Sequence, residues 1–289
     1  MKAPDFDYSK PRTLDDVFAL LAEYGDEARL LAGGQTLMAT LNMRLSEPAI
    51  LIDITGIDAL RGISVQDGAL RIGALATHTE IENSALVAQH APLLAAAAPH
   101  IAHRAIRNLG TFGGSIAYAD PAAEWPTCAL ALDATVICCG AEGIRRIAAA
   151  DFFLDLYTTA LRPGELVMAC DIPLAQAGSR FYFDELARRH GDYAIAGLAV
   201  ATRVEQGLMQ QTRLAFLGIG ATPVRARRTE ALLDGRSAEP ALIDEAAALL
   251  ADELSGALNP VADLTNSSAT KRHLATVLLR RALKTFMAG

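Results

Sequence analysis

The spacing of apolar residues along the first half of the chain predicts short helices alternating with buried strands. After Thr13, apolar side chains recur on one stripe from Leu14 to Tyr24, which predicts an amphipathic helix that Thr13 caps and Gly25 ends. Strands are predicted wherever short runs are continuously apolar or alternate with polar residues: 29–31, 50–54, 70–73, 136–139 and 166–172. The pattern is that of a mixed helix and sheet protein.

Polar and proline signals predict where the intervening helices begin. Thr77-His78-Thr79-Glu80 has the sequence of a capping box. The apolar run from Pro92 to His103 predicts one buried helix, and Asp120-Pro121 predicts another helix with proline at its first position.

The second half predicts paired strands followed by helices. Tyr193–Arg203 and Thr212–Gly218 alternate as strands, with Gly207 in the turn, and helices are predicted at 226–233, 239–251 and 268–287. The turn-rich segment Pro173–Ser179 marks the domain boundary. We therefore predict an α+β fold: a two-part domain over 1–175, with subdomains of about 1–55 and 56–175, and a C-terminal antiparallel sheet with helices over 176–289.

Composition narrows the function classes. The chain has 289 residues, 52% of them hydrophobic and 20% charged, as in a globular protein, and its net charge of −7 argues against nucleic-acid binding. No apolar stretch reaches the roughly 18 residues that a membrane span requires. The first residues lack the apolar region of a signal peptide, so a cytoplasmic location is expected.

Two glycine-pair loops carry the candidate chemistry, Ala32-Gly33-Gly34-Gln35-Thr36 and Thr111-Phe112-Gly113-Gly114-Ser115. Glycine lets backbone N–H groups approach a ligand, and successive N–H groups in a turn or at a helix N-terminus form an anion site. The hydroxyls of Thr36, Thr111 and Ser115 can donate to phosphate oxygens or cap the following turn. Two such loops suit a ligand with two phosphates, which indicates a dinucleotide. Neither a P-loop nor a Rossmann fingerprint is present in the sequence.

The flanks of these loops resemble one family. Ala32–Leu37 is similar to the first flavin loop, and Ala105–Glu124 to the second flavin segment, of the FAD-binding medium subunit of molybdenum hydroxylases, the xanthine dehydrogenase and carbon monoxide dehydrogenase family. Phe6-Asp7-Tyr8 with Pro11, and later Arg188–Ala194, match in the same order. The resemblance spans nearly the whole chain and implies the two-subdomain FAD-binding fold known as PCMH-type.

The resemblance implies non-covalent FAD held by both loops, with the glycine N–H groups on the pyrophosphate. It assigns Glu124 to flavin sugar or ribityl hydroxyls, Tyr193 to the vicinity of the isoalloxazine ring, and Leu161 to the flavin or to core packing. The implied cofactor residues are Ala32, Gly33, Gly34, Gln35, Thr36, Thr111, Phe112, Gly113, Gly114, Ser115, Asp120, Glu124, Leu161 and Tyr193.

Several positions keep an alternative interpretation. Asp120 is equally well explained as a helix cap, Glu124 as a solvated carboxylate in a first helical turn, and Tyr193 as an ordinary strand tyrosine. Ser115 stands where the family often has asparagine, and its hydroxyl offers one donor where an amide would offer two. Glu185 lies where some relatives carry a flavin-contacting lysine, and whether Arg188 or Arg189 replaces that lysine stays open.

Neither the cysteines nor the histidines have a metal-ligand pattern. Cys138 and Cys139 are adjacent in a predicted strand, so their side chains point to opposite faces, and all four cysteines are expected to be buried thiols. His78, His100 and His103 are expected to have structural or loop-positioning roles, although His100 and His103 would lie three residues apart on one helix.

The expected function is that of an electron-transfer flavoprotein subunit with no catalytic acid or base of its own. The resemblance implies a large partner with the molybdenum cofactor and a small partner with two 2Fe-2S clusters, in a dimer of heterotrimers. It leaves the substrate and the electron acceptor open. The alternatives are a self-sufficient flavin oxidase or dehydrogenase, and a scaffold or maturation protein that has lost the flavin. The absence of a substrate domain disfavours the first, and the intact glycine loops disfavour the second.

Overall fold

The computed structural model describes residues 2–256 and 258–287, and it confirms the α+β class. Met1, Ala257, Ala288 and Gly289 lie outside the described residues. The helices are α1 Leu14–Tyr24, α2 Leu37–Asn42, α3 His78–Glu82, α4 Ala85–His90, α5 Pro92–Ala97, α6 Arg104–Arg107, α7 Phe112–Tyr118, α8 Glu124–Ala131, α9 Ala149–Phe152, α10 Arg227–Leu233, α11 Pro240–Glu253 and α12 Ser268–Met287. The strands are β1 Asp7–Ser9, β2 Ala28–Leu31, β3 Ile50–Asp53, β4 Ile63–Gln66, β5 Ala69–Gly73, β6 Thr135–Gly140, β7 Gly143–Ala148, β8 Phe153–Asp155, β9 Thr158–Thr159, β10 Leu166–Pro173, β11 Ser179–Leu186, β12 Ala196–Glu205, β13 Leu208–Leu217 and β14 Val224–Arg225.

A small parallel sheet, in the order β1-β3-β2, places the first glycine loop. Helix α1 begins at its cap Thr13, whose hydroxyl accepts the N–H of Asp16, and it buries Val17 against Ile50 and Ile52 of the central strand. The loop follows β2 directly and leads into α2. It therefore projects from the carboxyl end of a parallel strand, where ligand-binding loops of such sheets commonly lie.

A five-stranded antiparallel sheet, in the order β4-β5-β10-β6-β7, places the second glycine loop. Leu70 and Ile72 of β5 and Cys170 of β10 face a core that also contains Phe112 of α7 and Trp125 of α8. Because α7 packs on this sheet and, through the buried rings of Phe112 and Trp125, on α8, the loop that opens α7 has a defined position.

The C-terminal sheet, β11-β12-β13-β14, is buried on both faces. Leu198 and Phe216 face helices α10, α11 and α12, whereas Ala199 and Leu217 belong to the same core as α7 and α8. Gly207 has a φ of +80° in the β12–β13 turn, as its predicted position requires. The sheet thereby packs directly against α8, the helix that follows the second glycine loop and α7.

Two predicted helices differ in the structure. The run from Pro92 to His103 is not one helix: α5 ends at Ala97 and a 3-10 turn covers Ala98–His100, because Pro99 has no N–H to continue the α-helical ladder. His100 and His103 therefore lie on separate elements. The second difference concerns Asp120, whose carboxylate accepts the N–H of Ala122 in a turn, so the following helix begins only at Glu124.

The cysteines are buried thiols, as predicted. Cys138 and Cys139 point to opposite faces of β6, the first into the core beneath α7 and α8 and the second into the core of the first subdomain. Burial raises the pKa of the Cys138 thiol to about 11. Across residues 2–256 and 258–287, no cluster of three or more His, Cys, Asp or Glu side chains could hold a metal ion, and no helix there is long and apolar enough to cross a membrane.

Candidate flavin site

The two glycine loops lie against each other although 76 residues separate Gly33 from Leu109 in the chain. A Cβ on Gly33 would overlap the carbonyl oxygen of Leu109 and lie 2.8 Å from the Cα of Gly110. On the same side, a Cβ on Gly114 would lie 4.0 Å from the Cβ of Ala32. Both loops therefore belong to one site, as two anion loops for a single dinucleotide require.

The first loop presents an uninterrupted run of backbone donors. In the part of the chain that the structure describes, the N–H groups of residues 33–37 have no protein acceptor. Gly34 has a φ of +71°, a left-handed conformation that turns successive N–H groups toward one side. The side chain of Gln35 donates to the Gly33 carbonyl at 2.9 Å and braces the turn. This donor set fits a phosphate.

The second loop differs from the expectation that its glycine N–H groups face the ligand. The N–H of Gly113 donates to the carbonyl of Ala74 at 2.9 Å, and a Cβ on Gly113 would lie 2.5 Å from the Cα of Ala74. The N–H of Gly114 donates to the hydroxyl of Thr111 at 3.2 Å, so Thr111 is the cap of α7. Gly113 is therefore required for packing on Ala74, the residue that follows β5, and its N–H is not free for a ligand.

Phe112, which the resemblance places among the cofactor residues, lies in the protein core. Its side chain is fully buried with its ring centroid 5.6 Å from that of Trp125, and its N–H donates to Ala76. Both groups are therefore engaged within the protein, and a contact of Phe112 with the cofactor stays a prediction. Among the described residues, the donors of this loop without a protein acceptor are the N–H of Thr111 and the hydroxyl protons of Thr111 and Ser115.

Beyond the second loop, two acidic side chains have raised pKa values, that of Glu124 at the start of α8 and that of Glu185 on β11 of the C-terminal sheet. Burial raises the pKa of Glu124 to about 7 and that of Glu185 to about 8, and Glu124 raises the latter further by its charge. One oxygen of Glu185 is buried without a hydrogen-bond partner, and the other lies 4.0 Å from His100. Burial lowers the pKa of His100, so its ring does not neutralise this pair at neutral pH.

Glu185 is the acidic group that the sequence did not predict as part of the site. The strand that carries it, β11, was not predicted, although Phe181, Phe183 and Glu185 alternate toward one face and would have been a signal. Glu185 pairs with Gly197 of β12, where a Cβ would lie 3.1 Å from its own. That glycine provides the room in which the glutamate is buried.

Tyr193 lies in a loop before β12, not in a strand, and is 67% exposed. Desolvation of its hydroxyl, followed by the charge of Asp120 and the neighbouring Tyr118 and Glu124, raises its pKa. The charges of Asp120 and Glu124 therefore act on Tyr193, and because β12 begins only at Ala196 the interpretation as an ordinary strand tyrosine is wrong. Its loop is anchored at Gly191, where a Cβ would lie 2.6 Å from Nδ1 of His103.

The remaining predicted residues take the following positions. Leu161 is partly buried at the edge of the core beneath α7 and α8, which agrees with the alternative that this side chain packs in the core. Arg188 and Arg189 are exposed in the loop that precedes Tyr193, and neither forms an ion pair within the described residues. Their relation to a flavin stays a prediction.

His78 connects the parts of the site. Its ring, on α3, accepts a 2.8 Å hydrogen bond from the indole N–H of Trp125, the residue after Glu124. Its backbone N–H donates to the carbonyl of Gly110 at 3.0 Å. The loop-positioning role expected for this histidine has a direct structural basis.

An α+β fold in which two facing glycine loops present free backbone and hydroxyl donors defines a dinucleotide-binding flavoprotein. Comparison with known families specifies the class further. The family described as FAD binding domain in molybdopterin dehydrogenase matches residues 4–175, and the CO dehydrogenase flavoprotein C-terminal domain matches residues 181–286. The chain belongs to the FAD-binding medium subunits of the molybdenum hydroxylases. It is thus an oxidoreductase subunit with FAD as its cofactor.

Individual relatives match between 81% and 100% of the chain. The nicotine 6-hydroxylase medium subunit of Paenarthrobacter nicotinovorans is 34% identical over 98% of this chain and 98% of its own. The 6-hydroxypseudooxynicotine dehydrogenase complex subunit alpha of the same organism is 42% identical over 81% of this chain and 79% of its own. Among solved structures, carbon monoxide dehydrogenase from Hydrogenophaga pseudoflava aligns with a TM-score of 0.95 at 34% identity, covering 100% of this chain and 99% of that one.

Proposed function

We propose that this chain binds FAD non-covalently between its two glycine loops and relays electrons from an iron–sulfur cluster of a partner subunit to an external acceptor. The observation that carries the proposal is the run of free N–H groups at residues 33–37, held against the second loop. FAD, when bound, supplies the capacity to take up and release electrons singly or in pairs.

The chain's own residues would bind and orient the cofactor. The first loop would hold the pyrophosphate through its backbone N–H groups, because adjacent donors pointing to one side stabilise phosphate charge. Thr111 and Ser115 would add hydroxyl donors from the second loop. Glu124 would accept hydrogen bonds from sugar or ribityl hydroxyls, and Tyr193 would limit access of water and acceptor to the ring. No residue is assigned as a catalytic acid or base.

The partners follow from the kind of complex to which relatives belong. The 6-hydroxypseudooxynicotine dehydrogenase relative is a subunit of a dehydrogenase complex, and the solved carbon monoxide dehydrogenase from Hydrogenophaga pseudoflava is a form that lacks the Mo-pyranopterin moiety of the molybdenum cofactor. We propose a large subunit with that cofactor and a small subunit with two 2Fe-2S clusters, assembled as a dimer of heterotrimers in the cytoplasm. Within the chain, residues 1–175 would bind FAD, and residues 176–289 would support it through the sheet that buries Glu185.

Reduction of the bound flavin, with and without the partners, tests this function. The purified chain should contain FAD that dithionite bleaches, but aldehydes or N-heterocycles should reduce it only in the complex with both partners. A folded chain that binds no FAD would support the scaffold alternative. Reduction of the isolated chain by substrate, at the rate of the complex, would support a self-sufficient flavoenzyme.

A further inference from the structure

The imidazole of His78 is buried between the element that carries Glu124 and the second glycine loop. The ring is 6% exposed, and its centroid lies 5.8 Å from that of Trp125 in an edge-on arrangement. The indole N–H of Trp125 donates to Nδ1 at 2.8 Å. His78 is therefore fixed from the side of α8.

The opposite side of the histidine holds the second loop. Its backbone N–H donates to Gly110, and a Cβ on Gly110 would lie 2.7 Å from Nε2 of the ring. Gly110 in turn lies against Gly33, where a Cβ would be 2.8 Å from the Gly110 Cα. A continuous series of contacts thus runs from Trp125 through His78 and Gly110 to the first loop.

The protonation state of the ring is determined by these contacts. Burial, followed by the charge of Arg107, lowers the pKa of His78 to about 4, so the imidazole is neutral at pH 7. Because Nδ1 accepts the indole N–H, the single ring proton is on Nε2, the atom beside Gly110. Protonation of Nδ1 would remove the acceptor and release Trp125.

We propose that His78 is a positioning residue for the cofactor, which holds the second glycine loop against the first and thereby sets the affinity for FAD. Trp125 fixes the orientation of its ring. This inference rests on the proposed function, since it assumes that the paired loops bind FAD. The hydrogen bond from Trp125 also ties the loops to the start of α8, where Glu124 lies.

The dissociation constant of FAD for the full chain, measured at pH 7 by titration of the apoprotein, tests the proposal. His78→Leu, which removes the acceptor, and Trp125→Phe, which removes the donor, should each raise it at least about tenfold. The double variant should bind FAD as tightly as whichever single variant binds it more weakly, because both substitutions break the same interaction. His78→Asn keeps an acceptor at the position of Nδ1 and should recover part of the affinity.

Phe152→Leu provides the control for stability, because Phe152 is a fully buried aromatic of the same core. It should lower the melting temperature but leave the dissociation constant within about twofold of the wild-type value. Wild-type affinity in folded Trp125→Phe and His78→Leu proteins, or equal weakening by Phe152→Leu at the same loss of melting temperature, would overturn the positioning role. Those outcomes would leave the proposed function intact, whereas a folded wild-type chain without FAD affinity would overturn both.

Discussion

Gly33 lies so close to the carbonyl of Leu109 that no side chain fits between them. The contact joins the end of β2 in the first subdomain to the segment that opens α7 in the second. Its consequence is that the donors of two distant segments face one site. The glycine is thus required first for the approach of the loops to each other, and only through that approach for ligand binding.

We expect Gly33→Ala to abolish or strongly weaken FAD binding. The added Cβ would force the loops apart at a backbone carbonyl, which cannot move aside as a flexible side chain could. The matched control is Gly56→Ala, where the new Cβ would lie an ordinary 3.4 Å from the Pro11 carbonyl. The test is to measure the flavin content and the melting temperature of the Gly33→Ala and Gly56→Ala proteins. Equal flavin content in the two variants would contradict the prediction.

Substitutions at Phe112 and Ser115 should distinguish a residue of the second loop that stabilises the fold from one that binds FAD. Phe112→Ala removes a fully buried aromatic and should cost about 3–5 kcal/mol of the free energy of unfolding. Ser115→Ala removes a hydroxyl without a protein partner among the described residues, so we expect weaker FAD binding with little change in stability. Denaturant unfolding of the apoproteins, together with FAD titration, measures both effects. A large loss of stability in Ser115→Ala would be inconsistent with this assignment.

Tyr193→Ala should keep the fold and the flavin but change the rate at which oxygen or an artificial acceptor reoxidises it. The side chain is 67% exposed, so its removal forfeits little packing. The charges of Asp120 and Glu124 act on it, and it can limit access to a bound cofactor. The control is Leu264→Ala, at another exposed side chain. Identical reoxidation rates in the wild-type and Tyr193→Ala proteins would remove Tyr193 from the site.

The Glu124–Glu185 pair predicts that the apoprotein loses stability as the pH rises. The folded state raises the pKa of Glu185 from an ordinary 4.5 to about 8, so the folded protein binds this proton more tightly than the unfolded chain does. The contribution is complete below pH 4.5 and is lost as the pH rises toward 8. Glu124, with a pKa of about 7, acts in the same direction, and Asp184 adds a further negative charge.

Glu185→Gln should therefore raise the free energy of unfolding at pH 8 by about 1–3 kcal/mol, because the amide cannot ionise and avoids the desolvation cost of a buried charge, and should change it little at pH 5. The matched control is the exposed Glu23→Gln, which should have no effect at either pH. Melting curves of the wild-type and Glu185→Gln apoproteins between pH 5 and pH 8 show whether stability falls as the pH rises. An equally steep fall in Glu185→Gln would show that the Glu185 carboxylate does not cause the pH dependence.

The local sequence pattern was sufficient to predict many of the helices, caps and turns of the fold. The cap at Thr13, the capping box from Thr77 to Glu80, the turn at Gly207 and the helix Ser268–Met287 all follow from residues within a few positions of one another. Short-range hydrogen bonds and side-chain periodicity decide such features. The same local signals failed between Pro92 and His103, where the apolar pattern continued although Pro99 ended the ladder.

By itself, the sequence determined the class of the protein and where its two glycine loops lie, because the motifs that identify both are runs of consecutive residues. Only the tertiary structure decided what each glycine does. Gly113 packs on Ala74, and Gly33 admits Leu109, whereas the N–H groups of residues 33–37 stay free for a ligand. It also decided that one carboxylate oxygen of Glu185 is buried without a partner and that His78 joins Trp125 to Gly110. These relationships arise between segments far apart in the chain, where packing of the sheets, and not local propensity, brings the partners together.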